Sequence, residues 1–399
     1  MLSDLPRDLA EEVLSRLPMT CNRAVRSVCK RWNTLSKGRG FTKKHLARVK
    51  AAAARESTTM VVVVISHRLY LMSVNLHKGV DTSFSRQGKL ISSLEDDYGD
   101  GVDIFQVYHC DGLLFCLTKG QTRFVVWNPY SGQTRWFKPL AFTSRMRSCN
   151  YAIGYEESSS RSSRRRSYKV LRFGESFQGH VRYGLYYVNS YKDDVTTHVT
   201  ILTDWFVECD ARGVSLNGNT YWFAQGKMPP GVDALSASPD FLICFDFTTE
   251  RFGPHLTVPF RYNTEDTVTL SSVGDEQLAV LHQDQYTLRM QIWITTKIEP
   301  QVVWWSKLCF LAVDMEPLVG DPFDSACFFV DEEKKLAVVL ENDMVAYIVG
   351  EDGYLKKEDL GGSSNICNDA LVYSLVPSLA QIKRLGTKRK KSTRFQLSF

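Results

Sequence analysis

Leu5-Pro6-Arg7-Asp8-Leu9-Ala10-Glu11-Glu12-Val13-Leu14-Ser15-Arg16-Leu17-Pro18 stands near the start of the chain, and Val28-Cys29-Lys30-Arg31-Trp32 follows shortly after it. Leu5, Leu9, Val13, Leu14 and Leu17 recur at helical spacing, and Pro18 ends the segment. Pro6 suits a first helical position, with Ser3 or Asp4 placed to cap the free amides. A second helix is expected over about residues 22 to 36, where Val25, Val28, Cys29, Trp32 and Leu35 form another apolar stripe. Phe41 and Leu46 are positioned to close a small bundle. Nothing in this stretch carries bond-making chemistry, so its expected work is packing and docking.

The opening Leu-Pro, the Leu14–Pro18 block and the Val28–Trp32 run together resemble the F-box. That resemblance implies docking to the Skp-type adaptor of cullin-RING ubiquitin ligases, with Leu5, Pro6, Leu9, Val13, Leu14, Leu17 and Pro18 as the adaptor-binding group. One departure stands out. After Pro18 comes Met19-Thr20-Cys21-Asn22, where plant relatives place a serine followed by leucine. An asparagine at an apolar contact costs on the order of 1–3 kcal/mol of transfer energy, so weakened adaptor affinity is expected. The competing reading of the leucines is a helical hairpin that packs only on its own protein.

From Met60 onward the texture changes to short β-branched and aromatic runs punctuated by glycine, asparagine, aspartate and proline. Gly112–Leu117 and Phe124–Trp127 lead into the turn Asn128-Pro129-Tyr130-Ser131-Gly132. Asn217-Gly218 separates Val214-Ser215-Leu216 from Thr220-Tyr221-Trp222-Phe223, a strong hairpin signal because both turn residues tolerate positive φ. One aromatic per unit, at Tyr70, Trp127, Tyr187, Phe245, Trp293 and Tyr347, gives spacings of 57, 60, 58, 48 and 54 residues. Units of that length hold four short strands, as a propeller blade does. The expected fold is therefore a small all-α module followed by a large all-β, β-propeller-like domain. Six blades in a ring closed by terminal strands are expected, with seven blades, a five-unit distorted ring or a pair of sandwiches as the alternatives.

The same region resembles the F-box-associated domain of plants. The matching pieces include Cys110-Asp111-Gly112-Leu113-Leu114, Val126-Trp127-Asn128-Pro129, Ala152-Ile153-Gly154-Tyr155, Gly218-Asn219-Thr220-Tyr221-Trp222 and Phe245-Asp246-Phe247. The resemblance implies the target-receiving half of a ligase subunit and places no catalytic residue. The expected division is residues 1–48 as F-box, 49–59 as linker, 60–375 as the β-domain and 376–399 as a basic tail. Trp127, Trp222, Trp293, Trp304 and Trp305 are expected mostly between sheets, with an exposed indole in a partner groove as the sharper alternative for one or two. Asp246 and Asn128 are expected to hydrogen-bond the turns that follow them.

Composition sets the remaining bounds. The chain has 399 residues, 44% of them hydrophobic, enough to bury a sizeable core. The longest aliphatic run, Met60–Ile65, is far short of a membrane span, and no secretory signal pattern is present. Ten cysteines are scattered without Cys-x-x-Cys spacing, which fits buried thiols in a reducing compartment. An intracellular location, nuclear or cytoplasmic, is expected. The net charge of +5 is local: seven positive charges lie from Lys383 onward, leaving −2 for the residues before it. Lys388-Arg389-Lys390-Lys391 reads as a nuclear import run. The near-neutral body argues against a nucleic-acid partner. A Ser/Arg-rich insertion, Glu156–Ser167, reads as a flexible loop.

Enzyme readings find no support. Gly-x-Ser-x-Gly, a phosphate loop and His-Glu-x-x-His are all missing, and the eight histidines never take helical metal-ligand spacing. His109 with Cys110 and Cys116 reads as a strand or turn rather than a metal site. Glu95–Asp103 lacks the ligand order of a calcium loop. No cofactor, metal or catalytic residue is expected. The expected function is the target-recognition subunit of a Skp-cullin-F-box ubiquitin ligase, which acts by proximity: the helices hold the adaptor, and the β-domain holds an unknown protein target. The alternative is an adaptor-independent binding module with no ligase role.

Overall fold

The computed structural model describes residues 5–382 apart from short gaps and the longer stretches 77–82, 90–101, 139–148, 189–196, 228–239 and 361–372. Four helices come first: α1 (Arg7–Leu14), α2 (Asn22–Val28), α3 (Lys30–Ser36) and α4 (Arg39–Arg55). The single helix expected over 22–36 is broken at Cys29, whose φ of −160° and ψ of 162° are extended. Cys29 then serves the next helix, its carbonyl accepting from Asn33 N at 3.0 Å and its Sγ from Trp32 N at 3.4 Å. Ala10, Leu14, Val25, Leu35 and Phe41 form the helical core.

Among the described residues the strands that follow all pair antiparallel, and one short 3-10 turn covers Glu351–Gly353. The first sheet pairs β1 (Thr58–Ile65), β2 (Arg68–Asn75) and β3 (Ser83–Lys89). The second contains β4 (Ile104–Cys110), β5 (Leu113–Thr118), β6 (Phe124–Asn128) and β7 (Gln133–Phe137). The third contains β8 (Asn150–Ser160), β9 (Ser163–Glu175), β10 (His180–Tyr187) and β11 (Thr197–Leu202). The fourth is built from β12 (Trp205–Phe206), β13 (Val214–Leu216), β14 (Asn219–Gly226), β15 (Asp240–Asp246), β16 (Arg251–Phe252) and β17 (Leu256–Thr257). The fifth holds β18 (Thr267–Val273), β19 (Gln277–Gln283), β20 (Arg289–Glu299), β21 (Val302–Trp305) and β22 (Leu311–Asp314). The sixth holds β23 (Cys327–Asp331), β24 (Leu336–Leu340), β25 (Val345–Gly350) and β26 (Leu355–Asp359). A last strand, β27 (Tyr373–Ser374), returns to pair with β1 through Tyr373↔Val62 and Ser374↔Val61.

The expectation of six blades in a ring closed by terminal strands, or of seven, is corrected: the propeller has five blades. Five sheets, the second to the sixth, are complete blades, each built from one consecutive stretch of chain. The first sheet is composite, three strands from the start of the β-region joined to two residues of β27. Counting aromatic anchors finds one per sheet but cannot tell whether all the strands of that sheet come from the same stretch. Apolar layers join the sheets in a circuit. Val62, Leu71, Leu114 and Trp127 fill the layer between the first and second, for example, and Val63, Val74, Phe329 and Ile348 the layer between the sixth and the first. Burial of such side chains is the main drive for closure.

Several sequence signals are explained locally. Asn217 and Gly218 have φ of 49° and 87°, and Leu216 pairs with Asn219, so the turn is the two-residue hairpin expected. A Cβ on Gly154 would lie 2.3 Å from Phe247 Cδ2 and 2.4 Å from the Gly218 carbonyl oxygen, so only glycine lets the third and fourth sheets approach there. Asp246 Oδ1 accepts from Thr248 N at 2.8 Å and Asn128 Oδ1 from Ser131 N at 2.9 Å, each side chain closing its own turn. Trp127 and Trp222 are buried, Trp293 and Trp305 half-buried, and Trp304 is exposed.

The described residues of the Ser/Arg insertion are paired strand, not loop. β8 and β9 continue through it as a hairpin in register Glu156↔Ser167, Glu157↔Arg166 and Ser158↔Arg165. Its base is fixed: Arg166 pairs with Asp111 at 2.8 Å and lies 4.4 Å from the centre of the Tyr155 ring, while Tyr168 donates to Asp111. Composition pointed to a loop because serine and arginine favour solvent. Glu157, Ser158, Arg165 and Arg166 are exposed, so their polarity does not prevent pairing there.

Candidate docking site and target-receiving face

α1 divides the apolar residues of the first motif between two tasks. Ala10 and Leu14 turn inward and are buried, while Leu5 and Leu17 pack half-buried against the same core. Leu9 and Val13, four residues apart and therefore on one helical face, are 53% and 45% exposed. Pro6 precedes α1 and is exposed, and Pro18 lies outside the described residues. Val28, at the end of α2, is also exposed, although its place in the apolar stripe pointed inward. Two of the seven expected docking residues are thus free apolar surface on a helix, and Leu14 is core.

Glu12 locks α1 to α4. Its carboxylate meets Lys44 at 2.6 Å, Arg48 at 2.5 Å and Arg16 at 3.0 Å. Lys44 first, then Arg48 and Arg16, hold this carboxyl down at about 2. α4 therefore fixes the face on which Leu9 and Val13 stand.

The helical module sits on the β6–β7 turn. Arg26 donates to the carbonyls of Ser131 at 2.5 Å and Tyr130 at 3.1 Å. His45, fully buried, faces the Leu17 carbonyl with Nε2 at 2.8 Å and the Tyr130 hydroxyl with Nδ1 at 3.0 Å. A carbonyl only accepts, so Nε2 carries the proton and Nδ1 accepts from Tyr130. Burial lowers the His45 pKa and pushes the Tyr130 hydroxyl up to about 12, so both are neutral near pH 7. The turn is held in place from the other side. Asn128 Nδ2 donates to the carbonyls of Ala380 at 2.6 Å and Ser378 at 3.3 Å, and Ile382 N donates to Gln133 Oε1 at 2.8 Å. Ile382 is buried with Phe124 and Phe137 in the layer between the second and third sheets.

Strand directions place this junction at one end of the ring. β4, β8, β13, β18 and β23 contact one another in pairs. Tyr168 donates to Asp111, Tyr155 N to the Gly218 carbonyl and Ser215 Oγ to the Ile153 carbonyl, which brings the β4–β5 turn, the base of the β8–β9 hairpin and the β13–β14 turn to one end. The β6–β7 turn lies at that same end, because each strand in a sheet reverses the one before it. At the opposite end, where β13, β18 and β23 begin, a cavity of about 360 Å³ opens between the fourth and fifth sheets and the chain leading into the sixth. Phe323, Leu270 and Ala326 are buried apolar residues of its lining, and Glu208, Glu265 and Tyr262 contribute polar atoms at its mouth. Asp266 is fixed by His282 Nε2 at 2.8 Å, Asn263 N at 2.9 Å and Gln285 N at 3.1 Å. Exposed Leu202 and Tyr286 stand at this end as well, at the close of β11 and in the β19–β20 turn. Sequence reasoning missed the cavity entirely, since its residues come from three separate inter-sheet connections.

His109 Nε2 accepts from Gly112 N at 3.0 Å, the turn role expected of it. Cys110 and Cys116 are buried, and burial drives both thiols well above their ordinary range. Among the described residues no group of three or more His, Cys, Asp or Glu is placed to hold a metal ion, and no helix is long and apolar enough to cross a membrane. Most of Glu95–Asp103 and all of Lys388–Lys391 lie outside the described residues.

Residues 2–44 match the F-box domain, and residues 60–382 match the F-box associated beta propeller domain. An F-box/kelch-repeat protein of Arabidopsis thaliana is 51% identical over 403 residues, covering 96% of this chain and 99% of its own length. A putative F-box protein of the same plant is 51% identical over 405 residues, covering 98% of each. Among solved structures, one of a nidogen/laminin complex covers 79% of this chain and 96% of its own at 10% identity and a TM-score of 0.40, a likeness that carries no inference. With both modules matched in order and relatives alike from end to end, the chain belongs to the plant F-box proteins that carry an F-box associated beta propeller, a non-catalytic architecture typical of the substrate-recognition subunits of Skp-cullin-F-box ubiquitin ligases.

Proposed function

We propose that this chain holds a Skp-type adaptor at one end of its ring and a target protein at the other. The observation that carries the reading is the opposed placement of two surfaces. Leu9 and Val13 present exposed apolar area on a module seated at the β6–β7 end, and the cavity opens at the far end. Leu5, Pro6, Leu17 and Pro18 complete the adaptor contact, and Leu14 supports it from the core. Arg26 and His45 fix the module to the ring, so a bound target stands at a set distance from the adaptor. Fixed geometry turns binding into a high effective concentration of target lysines near the ubiquitin-conjugating enzyme.

The working division is 1–48 for the docking module, 49–59 for the join, 60–375 for the ring and 376–399 for the basic tail, with Ser378–Ile382 strapped to the ring through Asn128 and Gln133. Lys388-Arg389-Lys390-Lys391 serves nuclear import, placing the complex in the nucleus as well as the cytoplasm; its compact charge is what supports this role.

The test is reconstitution of the full chain with a Skp-type adaptor, followed by photo-crosslinking in plant extract from a probe at position 262 in the cavity or at position 333 at the opposite end. A one-to-one adaptor complex and a polypeptide captured from 262 but not 333 are expected. Capture without an adaptor complex would leave a binding module with no ligase role. Capture from 333 alone would overturn the assignment of faces.

A further inference from the structure

We propose that charge steers the adaptor onto the docking module: the protein is divided into a cationic and an anionic half, the module stands on the cationic one, and the adaptor meets it with an acidic face. The inference rests on the docking reading above and names the chemistry of the partner's contacting surface. The net −2 of the residues before Lys383 conceals the division. Residues 1–202, which hold the module and the first three sheets, carry 31 Lys and Arg against 17 Asp and Glu, a net of +14. Residues 203–382, which hold the last three sheets and the closing strand, carry 11 against 27, a net of −16. Apolar layers join the first sheet to the second and the second to the third, and likewise the fourth to the fifth and the fifth to the sixth. The two signs therefore fall on different sides of the ring.

Tertiary contacts gather the positive charge around the docking face. The first 55 residues alone carry 13 basic residues against 4 acidic ones, a net of +9. Arg31 donates to the Leu5 carbonyl at 2.6 Å, which sets exposed Lys30 and Arg31 beside the start of α1. Lys44 and Arg48 reach Glu12 from α4, which sets exposed Lys43 along the other side of α1. Exposed Arg165 and Arg166 stand in the base of the β8–β9 hairpin, at the same end of the ring. Ile382 is tied to Gln133 and lies between the second and third sheets, so the tail with its seven positive charges begins beside the turn that seats the module. Leu9 and Val13 thus stand in the field of three cationic segments that are far apart in sequence. Summed fields of this kind orient a partner before contact and raise the association rate, while the apolar contact governs how long it stays. An acidic surface is the chemistry that gains from the cationic half and is turned away by the anionic one.

The decisive experiment follows association of the full chain with a purified plant Skp-type adaptor by stopped-flow fluorescence, at ionic strengths of about 20 mM and about 500 mM. The association rate constant is expected to fall at least tenfold between the two, with the dissociation rate changing less than threefold. Lys30→Glu with Lys43→Glu should cut the low-salt rate at least fivefold. Lys297→Glu with Lys307→Glu makes the same change in net charge on the anionic half and should alter it less than twofold. All four lysines are exposed, so a retained melting temperature shows that each variant is folded. The milder pair Lys30→Gln with Lys43→Gln should give a smaller loss in the same direction, and removal of residues 383–399 a loss of twofold or more. A rate that ignores salt, or equal effects of the two charge-reversed pairs, would overturn the inference, while the complex itself keeps the docking reading standing. No complex at either salt would defeat the docking reading and this inference with it. At about 150 mM salt a short DNA duplex at the adaptor's concentration should leave the rate within twofold; a stronger suppression would assign the cationic half to nucleic acid instead and overturn the proposal.

Discussion

Replacing Leu9 and Val13 together by alanine separates docking from folding. The two side chains are 53% and 45% exposed, so about half of each remains to be buried by a partner. Full burial of such a side chain is worth about 1.5–3 kcal/mol, so each contributes about 1 kcal/mol to an adaptor interface. Losing both should cost about 2 kcal/mol, roughly a thirtyfold weakening of Kd. Alanine favours helix at least as well as leucine or valine, so α1 stays formed and the melting temperature should hold. Leu14→Ala supplies the contrast. That side chain is 2% exposed within the helical core, and its truncation should cost about 2–5 kcal/mol of the module's stability. Isothermal calorimetry against a Skp-type adaptor, paired with thermal melting of each variant, reads both quantities. If the Leu9/Val13 double variant bound the adaptor with unchanged Kd, or lost as much stability as Leu14→Ala, the division of α1 into a docking face and a core face would be wrong.

Three further outcomes follow from the junction and the tail. His45 is buried neutral with its pKa below the ordinary 6.5, so below that pH the unfolded chain takes up a proton that the folded chain refuses. Stability should therefore fall as pH drops from about 6.5 toward the folded pKa, and His45→Gln should flatten that part of a melting-temperature profile; identical slopes in the two proteins would refute the account. Asn128→Ala removes the partners of Ser131 N and of two carbonyls on the 378–380 strap, a loss of about 1–3 kcal/mol by denaturant unfolding. Asn128→Asp keeps the acceptor but turns a carboxylate toward those carbonyls, so it should be at least as harmful, and wild-type stability for it would contradict the assigned hydrogen bonds. For the tail, a fluorescent fusion with Lys388, Arg389, Lys390 and Lys391 changed to alanine should lose nuclear signal, and an unchanged nuclear-to-cytoplasmic ratio would remove the import role.

What the sequence determined by itself is whatever depends on neighbours along the chain. The leucine spacing marks α1, although Pro6 stands one place before its first helical residue; Asn217-Gly218 defines a hairpin, and Asp246 and Asn128 close the turns that follow them. Each is a matter of a few residues and their backbone preferences. The break at Cys29 was hidden because Val25, Val28 and Trp32 keep a helical rhythm across it. The Ser/Arg hairpin was hidden because composition reports solvation, and a solvated strand pair has the composition of a loop. Only the tertiary structure decided that five blades are consecutive and the first sheet is stitched from both ends of the ring, since β27 is two residues long and carries no periodicity. It also decided that Leu14 faces inward while Leu9 and Val13 face out, because the position of α4, locked through Glu12, selects the covered face of α1. The cavity is the extreme case. Glu208, Tyr262, Asp266 and Phe323 are more than a hundred residues apart from first to last, and they meet only because closing the ring brings the starts of three inner strands to one end.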